Sequence, residues 1–141
     1  MWLFGEPTKL FAVGGKISSL DINVEDSVQI LMQCSNGEKY FPVSISMDYL
    51  QWPAVRSLSI TGDKGSIECD LTNSKLTICD RVVDNIETQT FENFDRNEMF
   101  ISEMKNILAF ADGKEKPFLD LETGIKSLKI ALDTQMLIGN I

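Results

Sequence analysis

The 141-residue sequence contains no histidine. That absence excludes Ser-His-Asp and Cys-His nucleophile systems and any His-ligated metal site. General acid–base work is left to carboxylates, lysine or tyrosine. Cysteine is scarce too: Cys34, Cys69 and Cys79 are widely separated, odd in number and without a C-x-x-C pair. Such spacing favours free thiols in a reducing cytosol over a disulfide framework or a zinc site. No apolar run approaches the roughly 20 residues a membrane helix needs. The opening Trp2-Leu3-Phe4 is broken at once by Gly5-Glu6, too soon for a secretory signal. Positive charge is also short, with 13 Lys and Arg against 21 Asp and Glu and a net charge of −8. Phosphate binding needs clustered basic side chains, so nucleic acid is not an expected partner. These absences together predict a cytoplasmic chain with no membrane or nucleic-acid partner.

What is present supports a packed domain. Hydrophobic residues make up 43% of the chain, and residues 1–141 fit one domain of ordinary size. From residue 27 to about 91 the dominant period is two. Val28, Ile30, Met32 and Cys34 alternate with Ser27, Gln29, Leu31 and Gln33, and Val43, Ile45, Met47 and Tyr49 alternate with Ser44, Ser46 and Asp48. Leu58 and Ile60, then Ile67, Cys69 and Leu71, then Leu76 and Ile78 continue the pattern, and Ile86 to Phe91 adds a sixth strand. Alternation of this kind marks strands with one buried and one wet face. Asn36-Gly37, Asp63-Lys64-Gly65 and Thr72-Asn73-Ser74 supply short turns between them, which predicts antiparallel pairing. Pro42 and Pro53 fall near strand ends, where a missing N–H is tolerated.

After residue 95 the period changes. Phe100, Met104, Ile107, Leu108 and Ala111 form one helical stripe, closed by Gly113 and Pro117. Leu121, Ile125, Leu128, Leu132 and Met136 form a second, with Asp120 as N-cap and Gly139 as stop. Two apolar stripes and one apolar sheet face are expected to bury one another. The predicted fold is therefore α+β, two layers, with a largely antiparallel open sheet of about six strands and both helices packed on one face. The other sheet face, lined by Ser, Thr, Gln, Glu and Asp, stays open to water, another domain or a second subunit.

Few residues point to chemistry. Gly14-Gly15 and Gly62-Asp63-Lys64-Gly65 do not open a helix, and the second pair suits a hairpin better than a phosphate cradle. Glu25-Asp26 and Asp80 with Asp84 fall at predicted turns and are simplest as solvated carboxylates. The run from Met47 to Arg56 differs, because it gathers Asp48, Tyr49, Gln51, Trp52 and Arg56 at a strand junction. Trp, Tyr and Arg join contact area to directed polar groups, the mixture that recognition uses. A core Tyr and Trp with an edge Arg is the alternative.

Taken in order, Trp2-Leu3-Phe4-Gly5-Glu6-Pro7, Val24-Glu25-Asp26-Ser27, Asn36-Gly37, Asp48-Tyr49, Arg56, Ile60-Thr61-Gly62-Asp63-Lys64-Gly65 and the Phe100 to Met104 helix form a familiar set. The chain resembles the C-terminal domain of the Gfo/Idh/MocA oxidoreductases, the family of glucose–fructose oxidoreductase and inositol dehydrogenase. The resemblance implies a parent in which a Rossmann domain holds NAD or NADP and acts on a sugar, polyol or nucleotide-sugar hydroxyl. No G-x-G-x-x-G enters a helix here, so no cofactor is expected on this chain and no catalytic residue is assigned to it. Glu115-Lys116-Pro117 repeats the letters of the family's catalytic Glu-Lys-Pro motif, but in a loop between helices, and is a coincidence. The opening Trp2-Leu3-Phe4 is expected to be the end of the helix that carries catalytic residues in relatives. Substrate-binding roles carry over to Tyr49, Gln51, Trp52 and Arg56, and to Phe94 and Arg96 at the approach to the first helix. The implied partners are the parent's Rossmann domain, a sugar-type substrate and a second copy through the open sheet face; no metal is implied. A free-standing small-ligand module and a purely structural oligomerisation domain remain open.

Overall fold

The computed structural model describes residues 3–92 and 95–139, with the Arg96 side chain left aside. Its elements in order are β1 (Lys9–Gly15), β2 (Ser27–Ser35), β3 (Tyr40–Asp48), β4 (Ser57–Gly62), β5 (Gly65–Asp70), β6 (Lys75–Asp80), β7 (Asn85–Thr90), α1 (Arg96–Ala111) and α2 (Leu121–Gly139). The expected α+β class holds, with all strand pairs antiparallel. The single sheet of about six strands does not: seven strands form two sheets, β1-β2-β3 and β4-β5-β6-β7. The strand run breaks after β3 because the Asp48 carboxylate accepts the Leu50 N–H at 2.8 Å, closing an Asx turn. Residues 49–56 then carry no alternation, and Pro53 offers no N–H. The chain accordingly divides into two compact units, one made of residues up to Leu50 and from Pro117 on, the other of Gln51–Lys116.

In the first unit, the register stacks Leu10, Met32 and Val43 in one row and Ala12, Ile30 and Ile45 in the next. Ile30, Met32 and Cys34 are the buried centre, with Phe4, Phe41, Val43 and Ile130 packed on them. β1 completes this sheet and was hidden in the sequence. Phe11 and Val13 interleave with Leu10 and Ala12, so both faces of the strand read as apolar. The opening stretch is not helical among the described residues. Leu3 and Phe4 form a turn, the Phe4 ring meets Phe41 edge-on at 6.1 Å between centroids, and Glu6 pairs with Lys126 at 3.6 Å. Glu122, one turn away at 3.1 Å, is the main reason that Lys126 holds its proton above the usual lysine range.

The helix α2 lies on this sheet against β1, but not by the expected face. Thr134 and Ile138 are its buried residues, and Ile130 joins the core. The predicted stripe faces away: Leu121, Ile125, Leu128, Leu132 and Met136 are 50–80% exposed. Ile130, Thr134 and Ile138 recur every four residues and so form a second stripe along the helix, the one that is turned inward. Asp120 is the N-cap, its carboxylate accepting the Thr123 N–H at 2.8 Å.

The second unit is a four-stranded meander with a ten-residue repeat. β5, β6 and β7 begin at Gly65, Lys75 and Asn85. Each of the two connecting loops opens on an aspartate that caps it. Asp70 Oδ1 accepts from the N–H groups of Thr72 and Asn73, both at 3.0 Å, and Asp80 Oδ1 accepts from Val82 and Val83 at 2.7 and 3.2 Å. Each closes on a residue at φ 51°, Ser74 and Asp84. Leu58, Cys69 and Leu76 share the apolar face with Ile60, Ile67 and Ile78, as the alternation predicts. α1 starts on its N-cap Asp95, which accepts the Asn97 N–H at 2.8 Å. It ends in a Schellman motif around Gly113 (φ 71°), with Lys114 N–H donating to the Ala109 carbonyl at 2.9 Å. Its expected apolar stripe is also not buried: Phe100, Met104, Ile107 and Leu108 are all about half exposed, and within its unit α1 has no extended contact with a strand. Among its described residues the buried one is Asn106, whose amide donates to the Lys116 carbonyl at 3.2 Å and ties the helix to the following loop.

Candidate functional site

The most ordered polar constellation is centred on Asp26, which is 1% exposed. Its carboxylate accepts the N–H groups of Ile17 at 2.7 Å and Ser18 at 2.9 Å, the Ser18 hydroxyl, and the Lys16 ammonium at 3.2 Å. The Ile17 N–H foremost, then the Ser18 hydroxyl, hold this carboxyl well below the usual carboxylate range against the cost of burial. The expectation of a solvated turn carboxylate at Asp26 is thereby corrected. Four donors converge on it, and nothing in the local sequence shows that residues 16–18 fold back eight to ten positions to meet it. The main chain of Asp26 does a second job: its carbonyl accepts the Tyr49 N–H at 3.0 Å. One residue thus fixes the loop after β1 and the point at which the chain leaves β3.

The segment from Tyr49 to Arg56 follows that point. Tyr49 belongs to the first unit and is 70% exposed. Gln51, Trp52 and Arg56 belong to the second. Trp52 precedes a cis peptide to Pro53 and is 93% exposed, which rules out the core role considered for it. Arg56 is anchored by its backbone: its N–H donates to the Thr72 hydroxyl at 3.1 Å, and its carbonyl accepts from Leu71 at 2.8 Å. Its guanidinium enters no ion pair among the described residues. Three of the six candidate residues, Gln51, Trp52 and Arg56, therefore sit in the second unit on one stretch held at its far end by the β5–β6 loop. Phe94 lies outside the described residues, and Arg96 is the first residue of α1.

Neither helix start suits a dinucleotide. Pyrophosphate needs backbone N–H groups at a glycine-rich helix entry. α1 opens on Asp95 with Glu98 in its first turn, and α2 opens on Asp120 with Glu122. These four carboxylates would repel phosphate, and Gly62-Asp63-Lys64-Gly65 is the tight turn joining β4 to β5. The residues present do not fit NAD or NADP. Among the described residues no cluster of His, Cys, Asp and Glu could hold a metal ion, and no helix is long and apolar enough to cross a membrane. The three cysteines are free thiols, with Cys34 buried in the first core.

The remaining candidate surface is the outer face of the first sheet. It is less polar than the sequence suggests. Phe11 pairs with Leu31 and Val13 with Gln29, so three apolar side chains, each at least half exposed, sit beside the Gln29–Ser46 hydrogen bond of 2.6 Å. Hidden β1 is the reason this patch was missed.

No family model and no curated protein matches the sequence. Solved structures do match the fold. UDP-N-acetylglucosamine 3-dehydrogenase GnnA from Acidithiobacillus ferrooxidans superposes with TM-score 0.75 at 20% identity, over 94% of this chain and 40% of that one. A second crystal form of it gives 0.69. Biliverdin reductase from Synechocystis sp. PCC 6803, in complex with biliverdin and NADP+, superposes with TM-score 0.72 at 14% identity, over 97% of this chain and 42% of that one. The chain thus spans about 40% of the length of these oxidoreductases and shares its fold with that portion, in line with the fold that the Gfo/Idh/MocA resemblance implies.

Proposed function

We propose that this chain is the C-terminal domain of an NAD(P)-dependent oxidoreductase of the Gfo/Idh/MocA type, acting on a sugar, polyol or nucleotide-sugar hydroxyl. The observation that supports this reading is the fold match, which covers 94% of this chain but only 40% of GnnA. In the proposed parent a Rossmann domain holds NAD or NADP and the hydride chemistry, while this chain supplies a wall of the substrate pocket. Trp52, projecting from the Tyr49–Arg56 segment, stacks on a sugar face, and Arg56 grips a carboxylate or phosphate bidentately. Tyr49, Gln51, Phe94 and Arg96 are the further residues to which the resemblance carries substrate-binding roles. A second copy packs on the outer sheet face through Phe11, Val13 and Leu31. The chain alone binds no nicotinamide and turns nothing over, and the parent works in the cytoplasm.

The reading frame upstream of Met1 tests this. A strand-turn-helix with G-x-G-x-x-G and a downstream Glu-Lys-Pro supports it, and a frame closed directly before Met1 overturns it. In the assembled parent, Arg56→Ala raises KM for an anionic sugar substrate with kcat little changed; an unchanged KM removes Arg56 from the pocket.

A further inference from the structure

The first unit leaves one feature unused by that function. α2 carries its strongest apolar stripe outward, and Ile125, Leu128, Leu132 and Met136 line an open groove of about 700 Å³ whose polar lining is Lys129, Asp133 and Gln135 of the helix and Glu25 of the loop before β2. Leu128 and Leu132 are 60% and 50% exposed. Neither Lys129 nor Asp133 has an ion-pair partner among the described residues. An apolar stripe with an unpaired cation and anion on one flank is incomplete on its own.

We infer that two copies of this chain pair through α2, antiparallel and crossing at Ala131. The spacing of the charges argues for a second copy. Lys129 and Asp133 lie on the same flank, two residues either side of Ala131. With a rise of about 1.5 Å per residue, a two-fold axis at Ala131 sets Lys129 of one copy level with Asp133 of the other, each about 3 Å from the axis. The two-fold then makes the pair twice, as an isologous contact requires. The apolar side chains follow the same arithmetic. Along the crossing they fall in the order Ile125, the partner's Met136, Leu128, the partner's Leu132, then Leu132, the partner's Leu128, Met136 and the partner's Ile125. They interdigitate without facing like positions head on, the arrangement that helix packing favours. The register centred between Ser127 and Leu128 fits worse, since it sets Glu122 against Asp133 and Lys126 against Lys129. This contact is separate from the sheet face and does not rest on the oxidoreductase reading. One helix pair is smaller than a standard interface of about 800 Å² per partner, so the dimer is expected to be reversible.

A charge-swap series read by sedimentation equilibrium tests it. All variants carry Leu31→Arg, which closes the outer sheet face, and circular dichroism confirms that each is folded. The parent variant dimerises with rising concentration. Lys129→Asp or Asp133→Lys alone turns two attractive pairs into two repulsive ones and weakens the dimer about tenfold or more. The double swap restores it to within about threefold. A parent variant that stays monomeric, single swaps without effect, or a double swap that fails to rescue each overturns the pairing. A stripe covered by a different domain leaves all four variants alike.

Discussion

Replacing Thr134 with valine is expected to stabilise this protein, against the usual direction of core substitutions. Thr134 is 5% exposed, and its hydroxyl oxygen has no hydrogen-bond partner among the described residues. A buried hydroxyl left unpaired costs about 1–3 kcal/mol. Valine has nearly the same shape and a similar helix propensity, so neither a cavity nor a helix penalty offsets the gain. The expected change is about 1–2 kcal/mol in favour of the folded state, or a rise of about 3–8 °C in Tm for a chain of this size. Urea titration followed by far-UV circular dichroism reads it as a higher midpoint with an unchanged slope. A midpoint lowered by an equivalent amount refutes the reasoning, because it means that the hydroxyl is satisfied in the folded state.

Three further outcomes follow from the same structure. Met32→Ala, in the centre of the first core, is expected to cost about 2–5 kcal/mol, whereas Leu132→Ala on the outward stripe costs less than about 1 kcal/mol under dilute conditions; equal losses in urea midpoints place the stripe in the core after all. Asp26→Asn is expected to lower stability at neutral pH. The folded carboxyl titrates below its unfolded value, so the wild-type advantage holds above about pH 4 and shrinks as pH falls further; an advantage that grows on acidification contradicts the carboxylate staple. Gly65→Ala drives a Cβ into the Cys79 carbonyl oxygen, at a φ of 152° that disfavours side chains. It is expected to unravel the second sheet, seen as lost β-signal in circular dichroism, and a native-like spectrum refutes the close approach.

Strand identity was legible where one face alone is apolar. β2 to β7 announce themselves by alternation, and their turns by Asn36-Gly37, Asp63-Lys64-Gly65 and Thr72-Asn73-Ser74. β1 was not, because Phe11 and Val13 are apolar and exposed on the open face. The extents of both helices were legible, as were the α2 N-cap at Asp120 and the α1 stop at Gly113, whereas the α1 N-cap at Asp95 was not assigned. Their orientation was not. Periodicity shows that a stripe exists, but it does not show what covers it, and α2 instead docks through Ile130, Thr134 and Ile138. The candidate segment at Trp52 and Arg56 stood out by residue type. Asp26 did not, since its four donors come from a loop whose return depends on the tertiary fold.

The proposal that these residues are the C-terminal scaffold of an oxidoreductase whose cofactor half lies elsewhere makes a direct demand on nucleotide binding. Isothermal titration of NADH and NADPH into the purified 141-residue chain tests it most directly. The account predicts no heat of binding up to millimolar cofactor, as expected where both helix entries carry carboxylates. Saturable binding of either nucleotide, with turnover of a sugar substrate, would contradict it.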